Sequence, residues 1–350
     1  MGPWSLSLTG GLMKILAGDI GGTKTLLMLA DVSHGRLSTL ARERYTSADF
    51  PDLAPMVRAF LSDAGLASDG IDAACFALAG PVARQQGVDR ARLTNLPWEL
   101  NSTHLADNLG IPQVALLNDF EGIGHSLDDL PTEALHSLQT GQADPEGVRL
   151  VVGAGTGLGV CIVPPGHPLC VLPTESGHAT FAPADTRQAR LWQYVADQEG
   201  RCTREHLLSG RGLGRIARFL VAQGQSPGQS LGLALEGDDP APIISQLALE
   251  GSDPVAVEAV ALFLAVYGGQ AGDLALGCLP FGGVFIAGGI APRLLPRMQE
   301  GGFIQAFRHK PPMSHLLERM PIQVIGDTDA GLLGAARHAA SLCQQPDQAR

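Results

Sequence analysis

Residues 18–25 read GDIGGTKT, set between the apolar runs MKILA and LLMLA. Gly18, Lys24 and Thr25 fit a Walker-type phosphate loop, but Thr23 stands where the second glycine belongs. A Walker loop must also open a helix, because free N–H groups at the helix N-terminus bind phosphate. Strand-like LLMLADV follows instead, so the octapeptide is expected to be the bend of a β-hairpin with strands over 14–17 and 25–30. Backbone amides at such a bend can cradle a polyphosphate. Gly21 and Gly22 let the ligand approach, while Thr23 and Lys24 add hydroxyl and ammonium donors. Asp19, at the strand end, suits the divalent cation that accompanies a nucleotide's phosphates, reached through water. The plainer alternative is a glycine-rich hairpin with no ligand.

GAGTGLG (153–159) invites a dinucleotide reading, but the register fails. Counted from Gly153 and Gly155, the third glycine position is Leu158; counted from Gly155 and Gly157, it is Val160. Strand-like VCIV follows where a Rossmann unit needs a helix. A second phosphate hairpin fits better, with Gly155, Thr156 and Gly157 against the β- and γ-phosphates. IAGGIAP (286–292) reads as a strand-to-helix turn where Gly288 and Gly289 would let adenosine lie against the backbone. Strand, threonine-containing glycine bend and strand thus occur at 14–30 and again at 149–163, as duplicated halves would produce.

Asp119 ends the strand-like run VALLN, where α/β proteins build their sites. A carboxylate there, beside Asn118, suits general-base work on a hydroxyl; the competing role is a helix N-cap. In PTESGHATF (173–181), Glu175 and His178 have a spacing that could bind metal on a helix. Pro173 and Gly177 argue for a loop, and no further His or Cys ligand is near, so a metal site is not expected. Directed acceptors and donors on a loop suit a polyhydroxylated ligand. Glu205, in TREHLLSG, fits that use or a solvated helix face.

These residues need a scaffold. Strand-like runs at 75–82 and 114–120 alternate with helical patterns near 52–65, 102–109 and 120–129, then 187–221 and 254–277. The alternation implies an α/β fold. With 350 residues and 45% hydrophobic composition, about two domains with large cores are expected. The 44 glycines cluster between apolar runs, as tight turns and ligand-facing backbone require. Net charge is −11 with no basic run, which argues against nucleic acid or an anionic membrane as partner. The apolar stretch 255–279 is interrupted by Glu258, Gln270, Asp273 and glycines, and reads as a buried helix, not a membrane span. The six cysteines lack metal-ligand spacing and are expected to pack as small buried thiols in a reducing compartment; no secretory signal is evident, so a cytoplasmic location is expected. Residues 1–12 and 344–350 are expected to be flexible ends, with Met13 read as the natural start.

Asp-x-Gly-Gly-Thr-Lys, then Asn-Asp, Gly-x-Gly-Thr-Gly, the Glu175–His178 segment and Ala-Gly-Gly, in this order, resemble the bacterial glucokinase family of the hexokinase/actin-like ATPase superfamily. The resemblance runs from about Lys14 to Ala340. It implies two actin-like (ribonuclease H-like) α/β domains with a cleft between them. The smaller domain would be 13–129, completed by a C-terminal helix at 326–343, and the larger 130–325. It implies ATP- and Mg²⁺-dependent phosphorylation of glucose to glucose 6-phosphate, the entry to glycolysis. Asp119 would take the 6-hydroxyl proton, with Asn118, Glu175, His178 and Glu205 on the sugar hydroxyls and Asn95 a further contact. Gly18, Asp19, Ile20, Gly21, Gly22 and Thr23 would form the first phosphate segment. Family members are commonly homodimers. The related repressor/kinase group carries a cysteine-rich zinc motif where ATFAPAD stands here, which disfavours a transcriptional regulator. A kinase for mannose or an amino sugar, or an actin- or chaperone-like ATPase without a sugar substrate, are the other readings.

Overall fold

A computed structural model describes residues 12–66, 70–93, 96–327 and 329–343. Asn95 lies outside the described residues, as do the terminal stretches 1–11 and 344–350. The chain divides into two units, one of residues 1–130 and 329–350, the other of residues 131–328.

In the first unit, β1 (Met13–Ile20) and β2 (Lys24–Ser33) form the expected hairpin, with Ile20 opposite Thr25 and the Gly21 amide donating to the Lys24 carbonyl at 2.9 Å. The chain continues through β3 (Arg36–Thr46), α1 (Leu53–Asp63), β4 (Ala73–Leu78), β5 (Val82–Gln85), β6 (Val88–Arg92), β7 (Glu99–Asn101), α2 (Ser102–Leu109), β8 (Gln113–Asn118) and α3 (Asp119–Ser126). The main sheet runs β3-β2-β1-β4-β8, antiparallel through the first three strands and parallel from β1 to β8. β4 is buried along its whole length, as a central parallel strand must be.

The second unit comprises β9 (Leu135–Gln139), β10 (Arg149–Ala154), β11 (Leu158–Val163), β12 (Leu172–Thr174), α4 (Thr186–Glu199), α5 (Arg204–Leu207), α6 (Gly210–Ala222), α7 (Gln229–Glu236) and α8 (Ala241–Glu250). α9 (Pro254–Cys278), β13 (Gly283–Ala287), α10 (Ile290–Arg293), α11 (Leu295–Gln299), α12 (Gly302–Arg308), α13 (Ser314–Leu317) and β14 (Ile322–Ile325) complete it. Its sheet runs β12-β11-β10-β13-β14-β9. Three antiparallel strands followed by two parallel ones repeat the order of the first sheet, so the duplicated bends belong to duplicated sheets. α9 is long and apolar enough to cross a membrane, but most of it is buried in the core of this unit.

α14 (Ala330–Leu342) returns to the first unit. Leu332, Ala335, Ala336 and Ala339 cover Ile15, Ala17, Cys75, Ala77 and Leu117 on one face of its sheet. Small residues let α14 approach closely. A Cβ added at Gly334 would overlap the carbonyl oxygen of Gly122 in α3.

Candidate active site

Parallel strands deliver their C-terminal ends to one edge of a sheet, which is where ligands bind in open α/β sheets. In the first unit that edge carries both the first glycine bend and Asp119. Ile20 of β1 pairs with Leu78 of β4, and Leu78 pairs with Asn118 of β8. The bend and Asp119 therefore stand about two strand spacings apart, roughly 10 Å.

Asn118 caps α3, so Asp119 is its first helical residue and not its cap. The Asn118 Oδ1 accepts the Phe120 N–H at 3.0 Å, and its Nδ2 donates to the Gly80 carbonyl at 3.0 Å. Glu121 closes a capping box by accepting the Asn118 N–H at 3.3 Å. Its other oxygen accepts Arg84 Nη2 at 2.7 Å. Burial raises the Glu121 pKa, and Arg84 acts against that rise. Three side chains thus fix the backbone that presents a carboxylate at the positive end of a helix. The Asn-x-x-Glu spacing of a capping box was available in the sequence; Arg84, far away in the chain, was not.

Gly18 and Ile20 are buried inside β1, and a Cβ at Gly18 would lie 2.7 Å from Phe76 Cδ1. Their residue types answer to core packing, while Asp19 and Gly21–Lys24 are the part of this segment left at least partly open to solvent. Asp19 is half-buried and its pKa is raised to about 6, first by burial and then by the Asp329 carboxylate. Asp329 itself pairs with Arg42 at 2.6 Å.

The second unit gathers the remaining residues around the backbone of Leu158. Gly155–Gly157 form the bend between β10 and β11, and the Gly155 amide donates to the Gly157 carbonyl at 2.8 Å. A Cβ at Gly155 would meet open space. Leu158, next in the chain, donates its N–H to Glu205 Oε2 at 2.9 Å. Its carbonyl abuts Gly177, where any side chain would collide with it. Glu175 and His178 flank that glycine on a single turn, 3.8 Å apart between Oε2 and Nε2. Their side chains are 66% and 61% exposed, free to meet a ligand. The loop is not a helix of metal-binding spacing, and no group of three metal-ligating side chains occurs among the described residues. Gly288 adopts φ +82° against the Ala154 carbonyl and leads into α10, with Gly289 exposed. The structure therefore joins the second bend, the Gly288–Gly289 turn, Glu175, His178 and Glu205 in one unit, and Asp19, Asn118 and Asp119 in the other.

The pattern of the glucokinase family matches residues 16–342. The glucokinase of Nostoc punctiforme is 41% identical over 344 residues, which span 94% of this chain and 99% of that protein. The chain belongs to the glucokinase family. The glucokinase of Synechocystis is 39% identical, with 94% of this chain and 98% of that one covered. Among solved structures, glucokinase from an Antarctic psychrotroph superposes with a TM-score of 0.79 at 28% identity, covering 94% and 99% of the two chains. A glucokinase of the ROK family from Streptomyces griseus, solved with glucose and AMPPNP, shares the fold at a TM-score of 0.61 and 21% identity, covering 95% of this chain and all of that one. This glucokinase-family chain thus has the actin-like α/β fold of sugar kinases, and it is a hexose-phosphorylating kinase.

Proposed function

We propose that the protein transfers the γ-phosphoryl group of ATP to the 6-hydroxyl of glucose, with Asp119 as general base. The observation that carries this reading is the placement of Asp119: a carboxylate braced on the first turn of α3, on the same sheet edge as the first glycine bend. Phosphoryl transfer asks a protein mainly for positioning and charge. Asp119 accepts the proton of the attacking hydroxyl and orients its oxygen. Glu175, His178 and Glu205 hold other hydroxyls, with the spare N–H of Asn118 as a further donor. Gly21–Lys24 and Gly155–Gly157 hold the phosphates, and the Gly288–Gly289 turn takes adenosine.

Asp19, beside a second carboxylate, offers hard oxygen donors that fit Mg²⁺ held through water. Bound there, the ion would offset charge on the β- and γ-phosphate oxygens. A homodimer in the cytoplasm is the setting proposed for the enzyme, and sedimentation equilibrium tests the assembly.

A coupled assay with ATP and a panel of glucose, mannose, glucosamine and galactose tests the reading. Glucose should give the highest kcat/KM, with glucose 6-phosphate as product. Hydrolysis of ATP at the same rate without any sugar would overturn it.

A further inference from the structure

Glu258, Gln270 and Asp273 interrupt the otherwise apolar helix α9, and Gln270 is buried. A polar side chain in such a core must be satisfied, and the partners it takes show its use. Gln270 Oε1 accepts from Arg204 Nε at 3.0 Å. Its Nε2 donates to the Ala182 carbonyl at 3.2 Å and to Asp273 Oδ2 at 3.1 Å, and Asp273 is paired with Lys310 at 2.6 Å. Arg204 is thereby held from behind. Its Nη1 reaches forward to the Ser176 carbonyl at 3.1 Å, inside the turn that carries Glu175 and His178. The Arg204 amide also donates to the Ala179 carbonyl at 3.0 Å, just past that turn. Arg201, three residues earlier, before the start of α5, and exposed, donates from Nη2 to the His178 carbonyl at 2.7 Å.

We propose that Arg204, anchored by Gln270, and Arg201 are positioning residues that set the Glu175–His178 turn for the sugar. The inference rests on the assignment of Glu175 and His178 to the sugar. These arginines touch backbone carbonyls and not the ligand. A guanidinium fixes direction as well as distance, because its planar N–H groups bond two partners at once. Glu205 follows Arg204 directly in α5, so one short helix both supplies a sugar-facing carboxylate and braces the opposite turn. Without the brace the turn keeps its residues but loses their alignment, and a misplaced hydroxyl partner weakens sugar binding far more than nucleotide binding.

Steady-state kinetics with both substrates varied tests this on Arg204→Met, Arg204→Lys, Gln270→Leu, Arg201→Met and Glu175→Ala. Arg204→Met should raise the glucose KM about tenfold or more, the loss expected for a directed hydrogen bond, with the ATP KM within about twofold. Arg204→Lys should recover part of the loss, since an ammonium can bond one partner but cannot fork between two. Gln270→Leu should shift the glucose KM in the same sense, and Arg201→Met by a smaller factor. A merely structural role would lower kcat or the amount of folded enzyme without separating the two KM values. If Arg204→Met is insoluble, Arg201→Met at the surface carries the test alone. Unchanged glucose KM in the arginine variants, with a raised value in Glu175→Ala, would overturn the positioning role and leave the sugar assignment standing. Unchanged glucose KM in Glu175→Ala as well would remove the assignment and the inference with it.

Discussion

Glu205 Oε2 accepts the backbone N–H of Leu158 at 2.9 Å, so a carboxylate assigned to the sugar also ties down the end of the second glycine bend. Glu205→Ala should therefore raise the KM for both glucose and ATP, whereas Glu175→Ala should raise only that for glucose. A Cβ at Gly157 would press on the same carboxylate, so Gly157→Ala should reproduce the double effect. Initial rates over a grid of the two substrate concentrations separate these patterns. A Glu205→Ala enzyme with an unchanged ATP KM would show that the tie is incidental.

Asp119→Ala should lower kcat by roughly 10²- to 10⁴-fold, the contribution of a positioned base, with a smaller effect on the glucose KM. Its backbone is held by Asn118, Glu121 and Arg84, none of which the substitution removes. Thermal melting should accordingly stay close to that of the parent. Near-parental turnover would assign the base elsewhere.

Asp19 carries a cost in the folded protein. Its pKa is about 6 when folded against an ordinary value of 3.8, so between those values the folded state binds more proton than the unfolded one. Stability therefore falls as pH rises through that window, and the cost is fully present above about pH 6. Asp19→Asn should melt higher than the parent at pH 7.5 while losing activity, a trade common where a site keeps a buried charge for function. Melting curves at pH 5 and 7.5 check the sign: the gain should be smaller at the lower pH.

His125 in α3 and His338 in α14 lie with ring centroids 4.6 Å apart and planes tilted by 52°. Burial holds their pKa values near 3 and 4, and neighbouring cationic groups add to the depression. Both are neutral when folded, yet they would protonate near 6.5 when unfolded. Here the unfolded state binds the extra protons, so this pair lowers stability as pH drops from about 6.5 toward 4. Urea midpoints of the parent and of His338→Gln, taken at pH 7.5 and 5, should show a smaller pH difference in the variant.

Gly334→Ala tests how tightly α14 seats against α3. Its Cβ would enter the Gly122 carbonyl, and overpacking of this kind costs about 1–3 kcal/mol. A lower urea midpoint together with reduced kcat is expected, because α3 presents Asp119 and cannot shift without moving it.

Both hairpins were legible because strand-like runs on either side of a glycine bend leave little choice of local structure, and β1–β2 and β10–β11 follow that pattern. The sequence also favoured a loop for Glu175 and His178, since Pro173 and Gly177 oppose a regular helix. The helical stretch near 187–221 divides into α4, α5 and α6. Gly200 ends α4 in the left-handed region, and the Thr203 and Ser209 side chains start the next two helices, local signals hidden within one apolar period. The C-terminal helix begins at Ala330, later than the expected 326. Harder still was what lies behind the site. Arg84 meets Glu121, and Arg204 meets Gln270, across 37 and 66 positions of chain. Gln270 in particular looks in sequence like a mere blemish in an apolar helix.

α14 has a consequence for how the protein is made. The sheet that carries Asp19 and leads into Asp119 lacks much of the cover of one greasy face until residues near 340 are made. On a ribosome adding about 5–20 residues each second, that wait lasts tens of seconds after β8 has emerged. The core of the first unit is therefore completed only after α14 has been synthesised.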